Sequence, residues 1–283
     1  MTTRLDDWLR AARACVELRD AQVLAAHALG CDRAGLIARG RDVLDPGRLA
    51  QMDCLLARRA AGEPVAYLVG RREFYGLDLA VAPGVLIPRP ETELLVDLAL
   101  ERIRHLPAPR VLDAGTGSGA IALAIKAQCP QARVMALDRS EPALAIAHDN
   151  ARRLGLEVAF IVSNWLDAVC AHEFDCIVSN PPYIRAADPH LGQGDLRFEP
   201  ESALASGADG QDALRALCAS APMRLAAGGW MLCEHGYDQA PAVRVLMSGA
   251  GLADVASWRD IAGIERVSGG MRRDVPADGR ERI

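Results

Sequence analysis

The chain has 283 residues, of which 51% are hydrophobic, 24% charged and only 4% aromatic, a globular composition that excludes intrinsic disorder and a membrane-embedded body. Thirty-two basic residues against thirty-seven acidic ones leave a net charge of −5, which disfavours avid, nonspecific binding to a phosphate backbone. Eight cysteines lie far apart with no Cys-x-x-Cys pair, so neither a metal site nor a disulfide framework is expected.

The first residues, Met1-Thr2-Thr3-Arg4-Leu5-Asp6-Asp7, are acidic where an export signal would be basic, and no segment approaches 18 uninterrupted apolar residues. A cytoplasmic protein with reduced cysteines and no membrane contact is expected. From Leu5 to about Ala61 apolar residues recur at helical spacing: Leu5, Trp8, Leu9, Ala12; Val23, Leu24, Ala28; Leu49, Met52, Leu55, Leu56. This predicts a small helical bundle over residues 1–70, with Gly30, Gly40 and Pro46-Gly47 as turns. Arg58 and Arg59 suit the negative end of the last helix dipole.

Residues 71–92 read as a linker. Arg72 to Val81 alternates like a strand pair turned at Gly76, and Pro83-Gly84, Pro88 and Pro90 stiffen an extended segment after it. Arg89, Glu91 and Glu93 there read as a solvated mixed-charge loop, although the flanking prolines would let it shape a cleft mouth. A helix begins at about Glu91, with Leu94, Leu95, Leu98 and Leu100 mostly on one face. Trp8, Trp230 and Trp258 are expected in cores.

From Arg110 strands and helices alternate, which predicts a third region, 93–283, built on a mainly parallel sheet with helices on both faces. The strand candidates are 110–114, 133–138, 158–162, 176–179 and 230–234, and the helices 120–128, 142–154 and 211–225. Ser140 is a predicted N-cap, Gly155 a predicted C-cap glycine, and the polar tail from Arg272 is expected to fray.

Val111-Leu112-Asp113-Ala114 runs into Gly115-Thr116-Gly117-Ser118-Gly119, placing a glycine loop at the carboxyl end of a strand, a cofactor position in doubly wound folds. Asp138 ends the next strand, where a carboxylate can accept from two ribose hydroxyls. With Ala120 in third place the spacing also satisfies the dinucleotide pattern, so a nicotinamide or flavin remains open on these residues alone.

Asn180-Pro181-Pro182-Tyr183 comes directly after another buried-strand pattern and so lies beside that loop. Two prolines remove two backbone donors and fix φ, leaving the carbonyls and the Asn180 side-chain oxygen as a pure acceptor array. Such an array suits a planar NH₂ group, with Tyr183 against its plane. An amide or exocyclic amine is a poor nucleophile, and hydrogen bonds that localise its lone pair and aim it at an electrophilic methyl are the sensible remedy. No general base is needed before the methyl moves, so His235 is read as structural.

The pair Asp113–Gly119 and Asn180–Tyr183 resembles the S-adenosylmethionine-dependent methyltransferases of planar NH₂ groups. Gly62-Glu-Pro-Val-Ala-Tyr-Leu68, Arg72-Glu-Phe-Tyr-Gly76, Leu86-Ile-Pro-Arg-Pro-Glu-Thr-Glu93, Phe198-Glu-Pro200, Glu234-His-Gly236 and Asp260–Val267 narrow the resemblance to the peptide chain release factor glutamine methyltransferases, the HemK/PrmC family. It covers roughly Gly62 to Gly269, while the first 60 residues fit by pattern only.

The resemblance implies a Rossmann-like class I methyltransferase fold with a seven-stranded sheet, and an N-terminal bundle that recognises substrate. It further implies methyl transfer from S-adenosyl-L-methionine, leaving S-adenosyl-L-homocysteine, to the N5 amide nitrogen of the glutamine in the Gly-Gly-Gln motif of class I release factors. By the same resemblance Gly115, Thr116, Gly117, Ser118 and Gly119 face the methionine part of the cofactor and Asp138 its ribose. Asn164 and Trp165 then meet the adenine, and Asn180 touches both cofactor and substrate. Asn180, Pro181, Pro182 and Tyr183 hold the glutamine amide, with Asn180, Pro181 and Tyr183 as the catalytic set. Asn164 departs from the family's usual aspartate, so adenine recognition would rest on a neutral oxygen. The expected partner is the release factor, the expected state a monomer, and no sequence-specific nucleic-acid binding is expected. A ribosomal-protein glutamine or an adenine amino group are the alternative acceptors. A non-catalytic binding module is a further alternative.

Overall fold

A computed structural model describes residues 3–171 and 173–273. The polar tail expected to fray lies, except for Arg272 and Arg273, outside the described residues. The chain forms two compact units, one running to Arg71 and including Gly192–Phe198, the other running from Arg72 to Leu191 and resuming at Glu199. No described helix is long and apolar enough to cross a membrane.

The first unit holds five helices, α1 (Leu5–Ala12), α2 (Leu18–Leu29), α3 (Arg33–Ala38), α4 (Pro46–Ala60) and α5 (Val65–Val69). Their apolar faces meet in a core around Leu5, Trp8, Leu24, Leu36, Met52 and Leu68. Asp45 caps α4 by accepting from the amides of Gly47 (2.9 Å) and Arg48 (3.2 Å), with Pro46 at the position that needs no donor. Gly30 ends α2 at φ 63°, a left-handed cap that glycine adopts without a Cβ penalty. Arg58 and Arg59 do more than answer the dipole. Arg58 pairs with Glu63 (2.5 and 2.7 Å), while Arg59 reaches Asp20 on α2 (2.7 Å) and Asp195 (2.8 Å). Trp8 is buried, as expected, and its indole nitrogen donates to Asp53 (2.7 Å).

The second unit opens on a two-stranded sheet, β1 (Arg71–Phe74) and β2 (Leu77–Ala80). Tyr75 and Gly76 between them both have positive φ (51° and 76°), the signature of a tight turn whose twist matches that of the strands. A single 3₁₀ turn at Pro90–Thr92 leads into α6 (Glu93–Ile103). The chain continues through β3 (Arg110–Ala114), α7 (Ala120–Gln128), β4 (Arg133–Asp138), α8 (Glu141–Leu154), β5 (Ala159–Val162), β6 (Phe174–Ser179), α9 (Asp212–Ser220), β7 (Leu225–Glu234), α10 (Ala240–Gly249), β8 (Ala253–Arg259) and β9 (Glu265–Met271).

The seven-stranded sheet has the order β5-β4-β3-β6-β7-β9-β8. The first five strands run parallel, while β9 lies antiparallel to β7 and to β8. Alternate residues feed two cores. Val111, Ala136 and Val178 pack with α6 and α7, and Leu112, Leu137 and Ile177 pack with α9 and α10, so both faces are covered.

The sequence expectation omits α10, and four further elements depart from it for a physical reason. The helix expected over 211–225 stops at Ser220, because Pro222 cannot extend it, and continues as a 3₁₀ turn. β7 begins at Leu225, five residues before the expected start, hidden by Ala226-Ala227-Gly228-Gly229. β8 and β9 carry no clear strand pattern. β8 is half exposed, and β9 carries Gly269, where a Cβ would lie 2.8 Å from the Met231 carbonyl, so close strand approach demands the residue that weakens a strand signal.

Asn150 on α8 ties three segments together. Its side chain accepts from the Ala80 amide (2.7 Å) and donates to the carbonyls of Ala80 (3.0 Å) and Ser118 (3.0 Å), with no solvent exposure. Asn150→Ala leaves three backbone groups unpaired, so urea unfolding should register a loss of about 2–4 kcal/mol. A loss under about 0.5 kcal/mol, the range of an ordinary surface change, would contradict this bracing role.

Candidate active site

The strand register sets the site. Ala114 pairs with Leu137 and Asp113 with Val178, so Gly115, Asp138 and Asn180 emerge together at the carboxyl ends of three adjacent strands. The Ser179 hydroxyl donates to the Ala114 carbonyl (2.6 Å) and locks this level.

The glycine loop turns through positive φ three times, at Gly115 (78°), Gly117 (56°) and Gly119 (86°). The amides of Gly115 and Thr116 both donate to the Leu137 carbonyl (2.8 Å each), which folds the loop onto the end of β4. Asp138 fixes it further, one carboxylate oxygen accepting from the Gly117 amide (2.9 Å) and the other from the Ser140 amide (2.9 Å). Each oxygen keeps a second lone pair for an outside donor. Asp113 is fully buried beneath the loop, where Oδ2 accepts from the Thr116 hydroxyl (2.6 Å) and the Ala122 amide (3.2 Å) while Oδ1 has no partner. Burial pushes its pKa up to about 7 against those two hydrogen bonds, and the Asp138 charge adds to the rise.

Across the cavity, the Asn180 side-chain NH₂ donates to the Thr92 hydroxyl (3.1 Å). Its oxygen is left to accept. The Tyr183 hydroxyl donates to Glu234 Oε1 (3.2 Å), and its carbonyl accepts from Gln239 Nε2 (3.0 Å). Glu234 is 1% exposed, and burial lifts its pKa to about 7, while the hydroxyls of Thr92 and Tyr183 pull it down.

A cavity of about 350 Å³ joins these parts. Gly115, Thr116, Gly117, Ser118, Asp138, Asn164, Trp165, Asn180 and Pro182 lie on its wall, together with Thr92 and Arg89. Three expected site residues do not. Gly119 is pressed against α8, where an added Cβ would come within 3.1 Å of Ala147 and Leu123, so its glycine serves helix packing. Pro181 is buried in the turn, and the Tyr183 hydroxyl is engaged by Glu234.

Trp165 has φ 48°, and its ring would be in ordinary contact, 3.4 Å, with a Cβ on Gly115, so that glycine is required by its φ of 78°. Asn164 is exposed and donates to Asp167 (3.3 Å), which keeps its own side-chain oxygen as an acceptor. Arg89 is no free loop residue. It pairs with Glu199, whose side chain is fully buried and also accepts from the Ile87 amide (3.0 Å). His235 is buried between the Gly236 carbonyl (2.9 Å) and the Ser268 hydroxyl (2.8 Å), and burial lowers its pKa, which fits a neutral structural ring. Thr92 and Glu199 fall in segments that carry the family resemblance, yet no periodicity marks their roles or that of Asn150, since each acts on segments 32 to 112 residues away along the chain.

Residues 91–193 match the family model described as methyltransferase small domain, and residues 7–70 match the PrmC N-terminal domain. A release factor glutamine methyltransferase of Xylella fastidiosa strain Temecula1 is 53% identical over 263 residues, covering 93% of this chain and 96% of that protein. The chain belongs to the release factor glutamine methyltransferase family. A member from Bordetella pertussis strain Tohama I is 54% identical over 252 residues, 89% of this chain and 93% of that protein. The crystal structure of a methyltransferase from Pyrococcus furiosus is 19% identical, covers 77% of this chain and 98% of that one, and has a TM-score of 0.53, which shows the shared class I methyltransferase fold.

The buried acid under the glycine loop of this family member has a measurable signature. A carboxyl whose folded pKa lies above its unfolded value of 3.8 binds more protons when folded, so the stability it lends is complete below pH 3.8 and is lost as pH rises through about 7. Asp113→Asn removes that slope. The Tm of the variant relative to the parent should therefore rise steadily between pH 4 and about 7, and a difference that stays constant would contradict the raised pKa.

Proposed function

We propose that this chain transfers the methyl group of S-adenosylmethionine to the side-chain amide nitrogen of the glutamine in the Gly-Gly-Gln loop of class I release factors. The observation that carries this reading is the pairing, in one cavity, of a glycine loop with an Asn-Pro-Pro turn whose asparagine has its NH₂ tied to Thr92 and its oxygen left to accept.

The residues present fit the cofactor. Gly115 and Gly117 give a wall without side chains, the Asp138 carboxylate has lone pairs for ribose hydroxyls, and the unpartnered Asp113 oxygen adds acceptor character beneath the loop. Gly115 to Ser118 would hold the methionine part, Trp165 the face of the adenine and Asn164 its amino group. Bound there, S-adenosylmethionine supplies a methyl on a positively charged sulfur.

The chain's own contribution is orientation. Asn180 Oδ1 and the carbonyls of the proline turn, where neither Pro181 nor Pro182 has an N–H, accept from the two amide hydrogens of the glutamine. That draws the nitrogen lone pair out of conjugation and aims it along one line. Pro181 acts through its carbonyl, and Tyr183 braces the turn from behind. The helical unit ending at Arg71 recognises the body of the release factor, because a single glutamine side chain offers far less surface than a specific protein contact buries.

Mass spectrometry of the Gly-Gly-Gln peptide, after incubation of this protein with S-adenosylmethionine and unmodified release factor, should show one added methyl on the glutamine. Asn180→Ala should slow its appearance by about 10²–10³-fold, the cost of one preorganised polar contact. A methyl on another residue, or none with S-adenosylhomocysteine demonstrably bound, would move the acceptor to another glutamine or to an amino base. The role of the helical unit has its own measure: kcat/KM for the whole factor should exceed that for a short Gly-Gly-Gln peptide by at least about 100-fold, a difference of about 2.7 kcal/mol. Equal values would remove it.

A further inference from the structure

Asn180 and Tyr183 stand on the same turn, and each is tied by its side chain to a buried residue from elsewhere in the unit. Asn180 donates to Thr92 (3.1 Å) at the end of the 3₁₀ turn before α6, and Tyr183 donates to Glu234 (3.2 Å) at the carboxyl end of β7. Thr92 is 4% exposed and Glu234 is 1% exposed. Glu234 Oε2 is buried with no partner.

The chemistry of these groups gives the chain of contacts a direction. The Tyr183 hydroxyl gives its hydrogen to a Glu234 oxygen, and the Thr92 hydroxyl offers a lone pair to Asn180. The asparagine must then present its NH₂ to Thr92, which leaves its oxygen to face an incoming donor. With the polarity reversed, Thr92 would donate to the Asn180 oxygen, and the asparagine NH₂ would meet the NH₂ of the substrate. The nearby Arg266 guanidinium favours the charged carboxylate, and Glu91 opposes it.

We infer that Thr92 and Glu234 are positioning residues for methyl transfer, which set the amide of Asn180 oxygen-first and hold the Tyr183 end of the turn. This rests on the acceptor being an amide NH₂, as proposed above. Neither residue needs to touch the cofactor for the role, and neither is marked by the spacing of the two motifs.

The test uses the full-length protein, with single-turnover methyl transfer to release factor and titration with S-adenosylhomocysteine as separate readouts. Thr92→Val keeps the shape and removes the hydroxyl, and should lower the transfer rate by about 10–100-fold. Affinity for S-adenosylhomocysteine and KM for release factor should each stay within about 3-fold, because the lost contact acts on orientation. Thr92→Ser restores the hydroxyl and should recover most of the rate. Glu234→Gln, which replaces one acceptor oxygen by a donor NH₂, should slow transfer to a similar degree at unchanged cofactor affinity.

Equal rates in Thr92→Val and parent, or equal losses in Thr92→Val and Thr92→Ser, would overturn the inference, as would a rate loss matched by lost cofactor binding. In each of those cases a parent protein that methylates the glutamine leaves the proposed function standing. A parent that does not methylate it removes both.

Discussion

The chain winds outward from β3 through β4 to β5 on one side, then crosses back to lay β6 and β7 on the other, so connections leave the carboxyl ends of the neighbours β3 and β6 in opposite directions. No crossover covers that point, and a crevice opens there. Everything with chemical character in the second unit is hung on it: the glycine loop after β3, Asp138 after β4, the Asn-Pro-Pro turn after β6 and Glu234 at the end of β7. The parallel register holds the first three level, and the Ser179 to Ala114 hydrogen bond fixes β6 against β3 one residue before the site begins. A one-residue slip of β6 would turn Asn180 to the other face.

Several donors around the crevice are already engaged within the chain. Prolines remove two amides from the turn, Thr92 engages the NH₂ of Asn180, Asp167 engages that of Asn164, and Asp138 takes the amides of Gly117 and Ser140. Two buried acids, Asp113 below the loop and Glu234 behind the turn, have their pKa values raised to about 7 by desolvation, and each retains one oxygen without a partner. Such a setting suits a ligand that arrives rich in N–H and O–H groups and carries positive charge. It also explains why His235, with both ring nitrogens engaged and its pKa lowered, is bracing and not a base.

Much of this was legible from residue order because glycine and proline carry their geometry with them. The positive φ of Gly115 and Gly117, the Ser140 cap on α8, the left-handed Gly155 and the Tyr75-Gly76 turn all arise from local chemistry that nearby residues declare. Gly119 shows the limit of that reading, since its positive φ is joined by a demand that residue order does not declare: an added Cβ would come within 3.1 Å of the Ala147 side chain. Tyr183 shows another. Its hydroxyl partner lies 51 residues away at the end of β7, a contact that only the folded chain brings about. Thr92 acts on Asn180 across 88 residues and Glu199 on Arg89 across 110, distances over which no periodicity runs. The last two strands are hidden by solvent exposure in β8 and by Gly269 and Gly270 in β9, where the packing that stabilises the sheet calls for residues that disfavour strands locally.

The central claim is that the crevice at the end of β3 holds cofactor and glutamine together, with the asparagine oxygen directed at the amide. A crystal structure of the protein with S-adenosylhomocysteine and a release factor tests it most directly. The account predicts the sulfur beside Gly115 to Ser118 and the glutamine amide nitrogen about 3 Å from Asn180 Oδ1, a hydrogen-bond distance. A glutamine held by other residues, or a cofactor product seated away from the glycine loop, would contradict it.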